Sequence, residues 1–126
     1  MDILKYIVAG FLLLTSFMVQ AESEVISPKE ASALYSEKKA VIVDVREEDE
    51  WNEGHIAGAI HIPLKQLNTH LPELQQYKDT TIITQCKSGG RSAKAVEELK
   101  SAGFSKVYSM DGGIKAWNQQ GLVTTK

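Results

Sequence analysis

Two β-branched runs constrain this chain more than anything else in it: "AVIVDV" at 40–45 and "TTIITQ" at 80–85. Neither shows the apolar–polar alternation of a strand with one wet face, so each suits a strand covered on both sides, as in a parallel sheet. Parallel strands cannot be joined by hairpins and need a crossover between them, usually a helix. The sequence supplies the crossovers. Ser27 is placed as an N-cap and Pro28 as a first-turn residue for "PKEASALYSEK" at 28–38. Ser92 to Ala102 carries Ala95, Val96, Leu99 and Ala102 at helical spacing, with Gly103 as a stop signal. "EVI" (24–26), "GAIHIP" (58–63, closed by Pro63) and "KVYSM" (106–110) are expected as further strands. "LKQLNTHLPEL" (64–74) is expected as a short helix interrupted near Pro72, and "IKAWNQQ" (114–120) as the last helix. Repeated β-then-α alternation predicts a three-layer α/β/α sandwich around a mostly parallel sheet.

The first 21 residues are set apart from that domain. "YIVAGFLLLTSFMV" follows Lys5, is too short for a comfortable membrane span, and ends in Val19-Gln20-Ala21, residues of the size a signal peptidase reads. The expectation is a signal peptide at 1–21 and one domain at 22–126. The domain would then be exported, periplasmic if the source is a Gram-negative bacterium, and without stable membrane association after cleavage. An uncleaved anchor is the alternative. The net charge of −2 shows no clustered excess of cations, which argues against a nucleic-acid partner.

Cys86 is the chain's only cysteine. Exported proteins usually keep cysteines in pairs, so an unpaired one is either a small buried apolar residue or a reactive thiol. Its surroundings favour the second. It stands at the end of the 80–85 run and opens "CKSGGR" (86–91), where glycines permit the tight curl that turns successive N–H groups inward. Such a curl, entering a helix N-terminus and flanked by Lys87 and Arg91, favours thiolate over thiol and attracts anions. A phosphate-binding glycine loop with an incidental cysteine is the alternative, although a Walker loop would end in Gly-Lys-Ser/Thr and this one does not.

Three blocks, in order, then resemble the single-domain rhodanese family: "VDVREEDEWNEGHIAGAIHIP" (43–63), "CKSGGRS" (86–92) and "DGGIKAWNQQGL" (111–122). The resemblance covers residues 24–124 and implies a five-stranded parallel sheet flanked by helices. It also implies thiosulfate sulfurtransferase activity through a persulfide on Cys86, with no metal or organic cofactor. Lys87, Ser88, Gly89, Gly90, Arg91 and Ser92 would then bind the substrate, a small anionic sulfur donor. The acceptor would be cyanide, a thiol or a protein. Because Lys87 follows the cysteine, where mercaptopyruvate-using relatives have a loop resembling Cys-Gly-Ser-Gly, thiosulfate is the better-matched donor. Phosphatase and arsenate-reductase cousins place five residues between cysteine and arginine. Here there are four, and Ser92 stands where their arginine would be. A domain that docks on a partner or merely carries sulfur is the rival from another class.

The remaining polar residues are given structural roles. Asp44 is expected to accept backbone hydrogen bonds and Arg46 to pair with a carboxylate, since buried charges need partners. His55 is expected as a hydrogen-bonded turn residue, and His61 and His70 lack metal-ligand spacing. Trp51 and Trp117 are assigned to packing, and Asp111-Gly112-Gly113 to a tight turn leading into the last helix, one that the resemblance implies lies near the mouth of the site.

Overall fold

The computed structural model describes residues 24–126, so the leader expected at 1–21 lies outside the described residues. In chain order the elements are β1 (Val25–Ile26), α1 (Pro28–Ser36), β2 (Ala40–Asp44), α2 (Glu48–Glu53) and β3 (Ile60–His61). There follow a 3-10 turn at Leu64–Gln66, α3 (Leu71–Leu74), a second 3-10 turn at Gln75–Tyr77, β4 (Thr81–Gln85), α4 (Gly90–Ser101), β5 (Val107–Met110) and α5 (Gly113–Gln119). The five strands form one sheet in the order β1-β5-β4-β2-β3, every pairing parallel.

Period-two alternation sends neighbouring residues of each strand into different layers. Val43, Ile82 and Val107 face α4, where Ala95, Val96 and Leu99 complete a core with Leu67, Leu74 and Phe104. Ile42, Ile83 and Met110 face the opposite way, onto Ala31 of α1 and Trp117 of α5. Each such aliphatic side chain contributes about 1.5–3 kcal/mol by leaving water. Both β-branched runs are therefore central strands, as their composition required. At α1 the expected cap is present: Ser27 Oγ accepts from the Glu30 N–H at 3.1 Å, with Pro28 in the first turn.

Two segments differ from expectation. Residues 64–74 do not form one interrupted helix; Leu64–Gln66 is a 3-10 turn, and Pro72 sits in the first turn of the short α3. A proline costs little there, because a first-turn N–H has no helical partner to lose. Helix α2 was not anticipated at all. No residue of it is buried, so it has no apolar stripe to announce it, and its cap is a glutamate pair: Glu47 and Glu50 each bond the other's backbone N–H.

The strand order creates the crevice that matters. After β2 the chain turns toward the β3 edge; after β4, the adjacent strand, it turns toward β5. The segments leaving β2 and β4 therefore diverge, opening a cleft at the carboxyl ends of the sheet, where α/β proteins bind ligands.

Candidate active site

Cys86 leaves β4 on the face that looks toward α4 and is buried, 1 % exposed. Burial alone would suit a packing cysteine. Its hydrogen bonds do not: the N–H of Gly89 points at Sγ from 3.1 Å and that of Ser92 from 3.4 Å, and Ser92 Oγ lies 3.5 Å away. Burial pushes the thiol up, but the Ser92 hydroxyl and the N–H groups of Ser92, Gly89 and Ser88 together outweigh it, holding Cys86 below its ordinary value. Ser92 Oγ is in turn 2.7 Å from Ser109 Oγ on β5, with both residues buried. Thr84 Oγ1 donates to the Ser92 carbonyl at 2.9 Å, fixing the first turn of α4 against the sheet.

The curl depends on Gly89, whose φ of +122° few side chains tolerate. Gly90 was expected to share that burden and does not. It opens α4 with ordinary helical geometry, and a Cβ added to it would meet nothing within 4 Å. Behind the loop, the N–H groups of Ile114 and Lys115 donate to the carbonyls of Cys86 and Lys87 at 2.8 and 3.1 Å. Gly113 approaches so closely that a Cβ on it would overlap those carbonyl groups. The Asp111-Gly112-Gly113 turn is thus a support for the loop as well as the start of α5.

Arg91 was placed beside Lys87 as a cation for an incoming anion. In the structure its two guanidinium nitrogens donate to both carboxylate oxygens of Glu50, at 2.6 and 2.9 Å. The Arg91 hydrogen bond holds Glu50 down to about 2, and Glu50 raises Arg91 in return. Glu50 is positioned by the pair the sequence marked as structural. Asp44 and Arg46 are buried against one another, Nη2 to Oδ2 at 2.7 Å, and Arg46 also donates to the carbonyls of Glu50 and Gly54 at the end of α2. Sequence reasoning missed Glu50, one of several acids in "REEDEWNE", and Ser109, an isolated serine on a strand. The E-x-x-E spacing of the α2 cap was the one available signal.

Other expectations hold. His55 Nδ1 meets the Trp51 carbonyl at 2.9 Å, and Trp51 stacks between the His55 and His61 rings at 3.6 and 4.6 Å. Trp117 is buried in the second core, and its indole N–H donates to the Val123 carbonyl. His61 and His70 bond the Arg46 carbonyl and Glu73 respectively.

Lys87 and Ser88 are exposed at the rim. Lys87 borders a cavity of about 260 Å³ in the cleft between the diverging segments, with Glu50 and Glu53 of α2 on one side and Ile114 and Asn118 of α5 on the other.

The description of the rhodanese-like domain family matches residues 27–120. The chain is 38 % identical over 101 residues to an uncharacterised protein of Synechocystis, covering 80 % of this chain and 55 % of that one. It is 39 % identical over 101 residues to the "Probable adenylyltransferase/sulfurtransferase MoeZ" of Mycobacterium tuberculosis, covering 79 % and 26 %. It thus spans about half of the first relative and a quarter of the second. Among solved structures, the thiosulfate sulfurtransferase of Pseudomonas aeruginosa superposes with a TM-score of 0.74 at 28 % identity, over 82 % of this chain and 20 % of that one. A parallel sheet that delivers a lone cysteine into a curl of amides, within a match running from the first helix to the last, places this chain in the rhodanese family.

Proposed function

We propose that the chain is a thiosulfate sulfurtransferase that carries sulfur as a persulfide on Cys86. The observation that carries this reading is the convergence of the Gly89 and Ser92 N–H groups and the Ser92 hydroxyl on one sulfur. That arrangement stabilises negative charge, first on the thiolate and then on the persulfide, as an oxyanion hole does on oxygen. The names of the mycobacterial and Pseudomonas proteins point to the same chemistry.

The donor approaches past the exposed Lys87, Ser88 and Gly90, its sulfonate toward the Lys87 ammonium. The Cys86 thiolate attacks the outer sulfur of thiosulfate. A new S–S bond forms, the donor's S–S bond breaks, and sulfite leaves with the electron pair. A nucleophilic acceptor then removes the sulfur and regenerates the thiolate, so one difficult transfer is split into two easier ones. Arg91, already paired with Glu50, contributes its field and holds the loop in place rather than gripping the donor. Export behind a cleaved leader belongs to the same reading, with Glu22 as the first residue of the native protein. N-terminal sequencing checks that directly.

Mass spectrometry of the protein after thiosulfate treatment tests the chemistry. A gain of one sulfur atom on Cys86, absent from Cys86→Ser, is the expected result. No adduct on wild-type protein would favour a docking domain that kept the fold.

A further inference from the structure

Ser92 Oγ carries one proton and has three polar neighbours: the Gly89 carbonyl at 3.1 Å, Ser109 Oγ at 2.7 Å and Cys86 Sγ at 3.5 Å. A carbonyl can only accept. While the sulfur is a thiol, the Ser92 proton therefore goes to Gly89, and the thiol donates to the Ser92 oxygen. Ser109 is then the donor in the 2.7 Å contact. Ionisation passes the thiol proton to solvent and makes Sγ an acceptor. The Ser92 proton can now turn to the sulfur by rotation about the Cβ–Oγ bond, with no heavy atom moving. Gly89 loses little, because its carbonyl also accepts the Ala93 N–H at 3.1 Å. In neither state does Ser92 have a proton left for Ser109, so the Ser109 bond keeps one direction throughout.

We propose that Ser109 is a positioning residue for the sulfur chemistry: its hydroxyl donates to Ser92 Oγ and so commits the one Ser92 proton to the Cys86 sulfur whenever that sulfur is charged. A hydroxyl that accepts one hydrogen bond donates the next more strongly, and both serines are buried, away from water that would dilute the gain. The ionised groups around the sulfur are the neighbouring Lys87 and, on α4, Arg91 with its partner Glu50 of α2. Strand β5 brings only the uncharged Val-Tyr-Ser-Met. Removing the Ser109 hydroxyl therefore weakens the cradle without changing its charges. The consequence for transfer, which rests on the persulfide reading above, has opposite signs in the two halves. In loading, the Cys86 thiolate bonds to the donor's outer sulfur, and a less stabilised thiolate attacks faster. In discharge, the acceptor bonds to that sulfur, its bond to Sγ breaks and Cys86 departs with the electron pair. A less stabilised thiolate departs more slowly.

Two measurements test this. In the first, which needs no sulfur transfer, the pH midpoint of the Cys86 thiolate is followed by its ultraviolet absorbance. Ser109→Ala should raise that midpoint by about half a unit. Ser109→Thr, which keeps a hydroxyl, should restore it. In a Ser92→Ala background Ser109→Ala should shift nothing further, because the effect runs through Ser92. An unmoved midpoint, or an equal shift with Ser92 already replaced, would overturn the proposal. The second measurement compares single-turnover loading by thiosulfate with discharge by cyanide, at a pH where the thiol is fully ionised. The ratio of discharge to loading should fall about threefold in Ser109→Ala, the counterpart of half a unit. Equal losses in both halves would mark a merely structural role and overturn it. Wild-type protein that forms no persulfide would sink the sulfurtransferase reading alone, with the midpoints still deciding the part of Ser109.

Discussion

Arg91 and Glu50, forty-one residues apart, meet in a two-pronged ion pair that ties the first turn of α4 to α2. The pair closes a chain of contacts beginning in the sheet. Asp44 fixes Arg46, Arg46 holds the last carbonyls of α2, and α2 presents Glu50 to the helix that follows the cysteine loop. Arg91 is therefore part of the scaffold that keeps the Gly89 and Ser92 N–H groups aimed at sulfur. Lys87 is left as the rim cation with no protein partner among the described residues.

Breaking that pair has a defined pH signature. Glu50 is held at about 2 in the folded protein against 4.5 ordinarily, so its contribution is complete above about 4.5 and is lost as pH falls through about 2. Glu50→Gln should be less stable than wild type by about 1 kcal/mol near neutrality. Urea titrations between pH 7 and pH 2 should show that difference shrinking steadily below about pH 4.5.

Cys86→Ser should fold normally and transfer no sulfur above background, since a serine hydroxyl is not ionised near neutral pH. Circular dichroism checks the fold, and the thiosulfate:cyanide assay checks the loss.

Gly89 and Gly90 should respond oppositely to substitution. Gly89→Ala places a side chain at φ +122°, costing about 1–3 kcal/mol and turning an N–H away from the sulfur. The pH midpoint for alkylation of Cys86 should rise and kcat should fall. Gly90→Ala should be tolerated or stabilising by up to about 1 kcal/mol, because alanine favours a helix start with open space around it. Thermal melts and alkylation profiles of the two variants decide the matter.

Ser92→Ala should raise the alkylation midpoint of Cys86, because it removes the hydroxyl that most lowers that group. Ser109→Ala should raise it by less. The change leaves the Ser92 hydroxyl beside the sulfur, still donating to the Gly89 carbonyl at 3.1 Å, and removes only the Ser109 hydroxyl that helps to position it. An unmoved midpoint in Ser92→Ala would contradict the hydroxyl's part in holding the thiolate.

Asp44→Ala should be the most destabilising of these changes. It strands a buried guanidinium, a loss of about 3–5 kcal/mol, and releases the end of α2. Chemical denaturation measures it directly.

Much of the site was legible because its signals are local. The run at 80–85, the lone Cys86 and the glycines after it lie within a dozen residues, and that spacing alone sets the cysteine at the junction of a strand and a helix. Asp44 and Arg46 were also readable as structural, standing after a buried strand, but that Asp44 is the carboxylate Arg46 takes came from the structure. Glu50 and Ser109 were not. Each matters only through a residue far away in the chain, Glu50 through Arg91 and Ser109 through Ser92, and neither carries a pattern of its own.

Hydrophobic periodicity determined the layers, since a strand that is apolar on both faces has to be covered on both, and helical spacing in the connections supplies the cover. It also located Cys86 at the end of a buried strand. Which glycine bends, which cation is already paired and which charges remain free in the cleft were decided by tertiary structure alone. Those outcomes depend on strand order: β2 and β4 lie side by side, so the segments leaving them face each other across the cleft although about forty residues separate them in sequence. A charge's availability is a property of its neighbours in space, and no pattern along one stretch of chain encodes it.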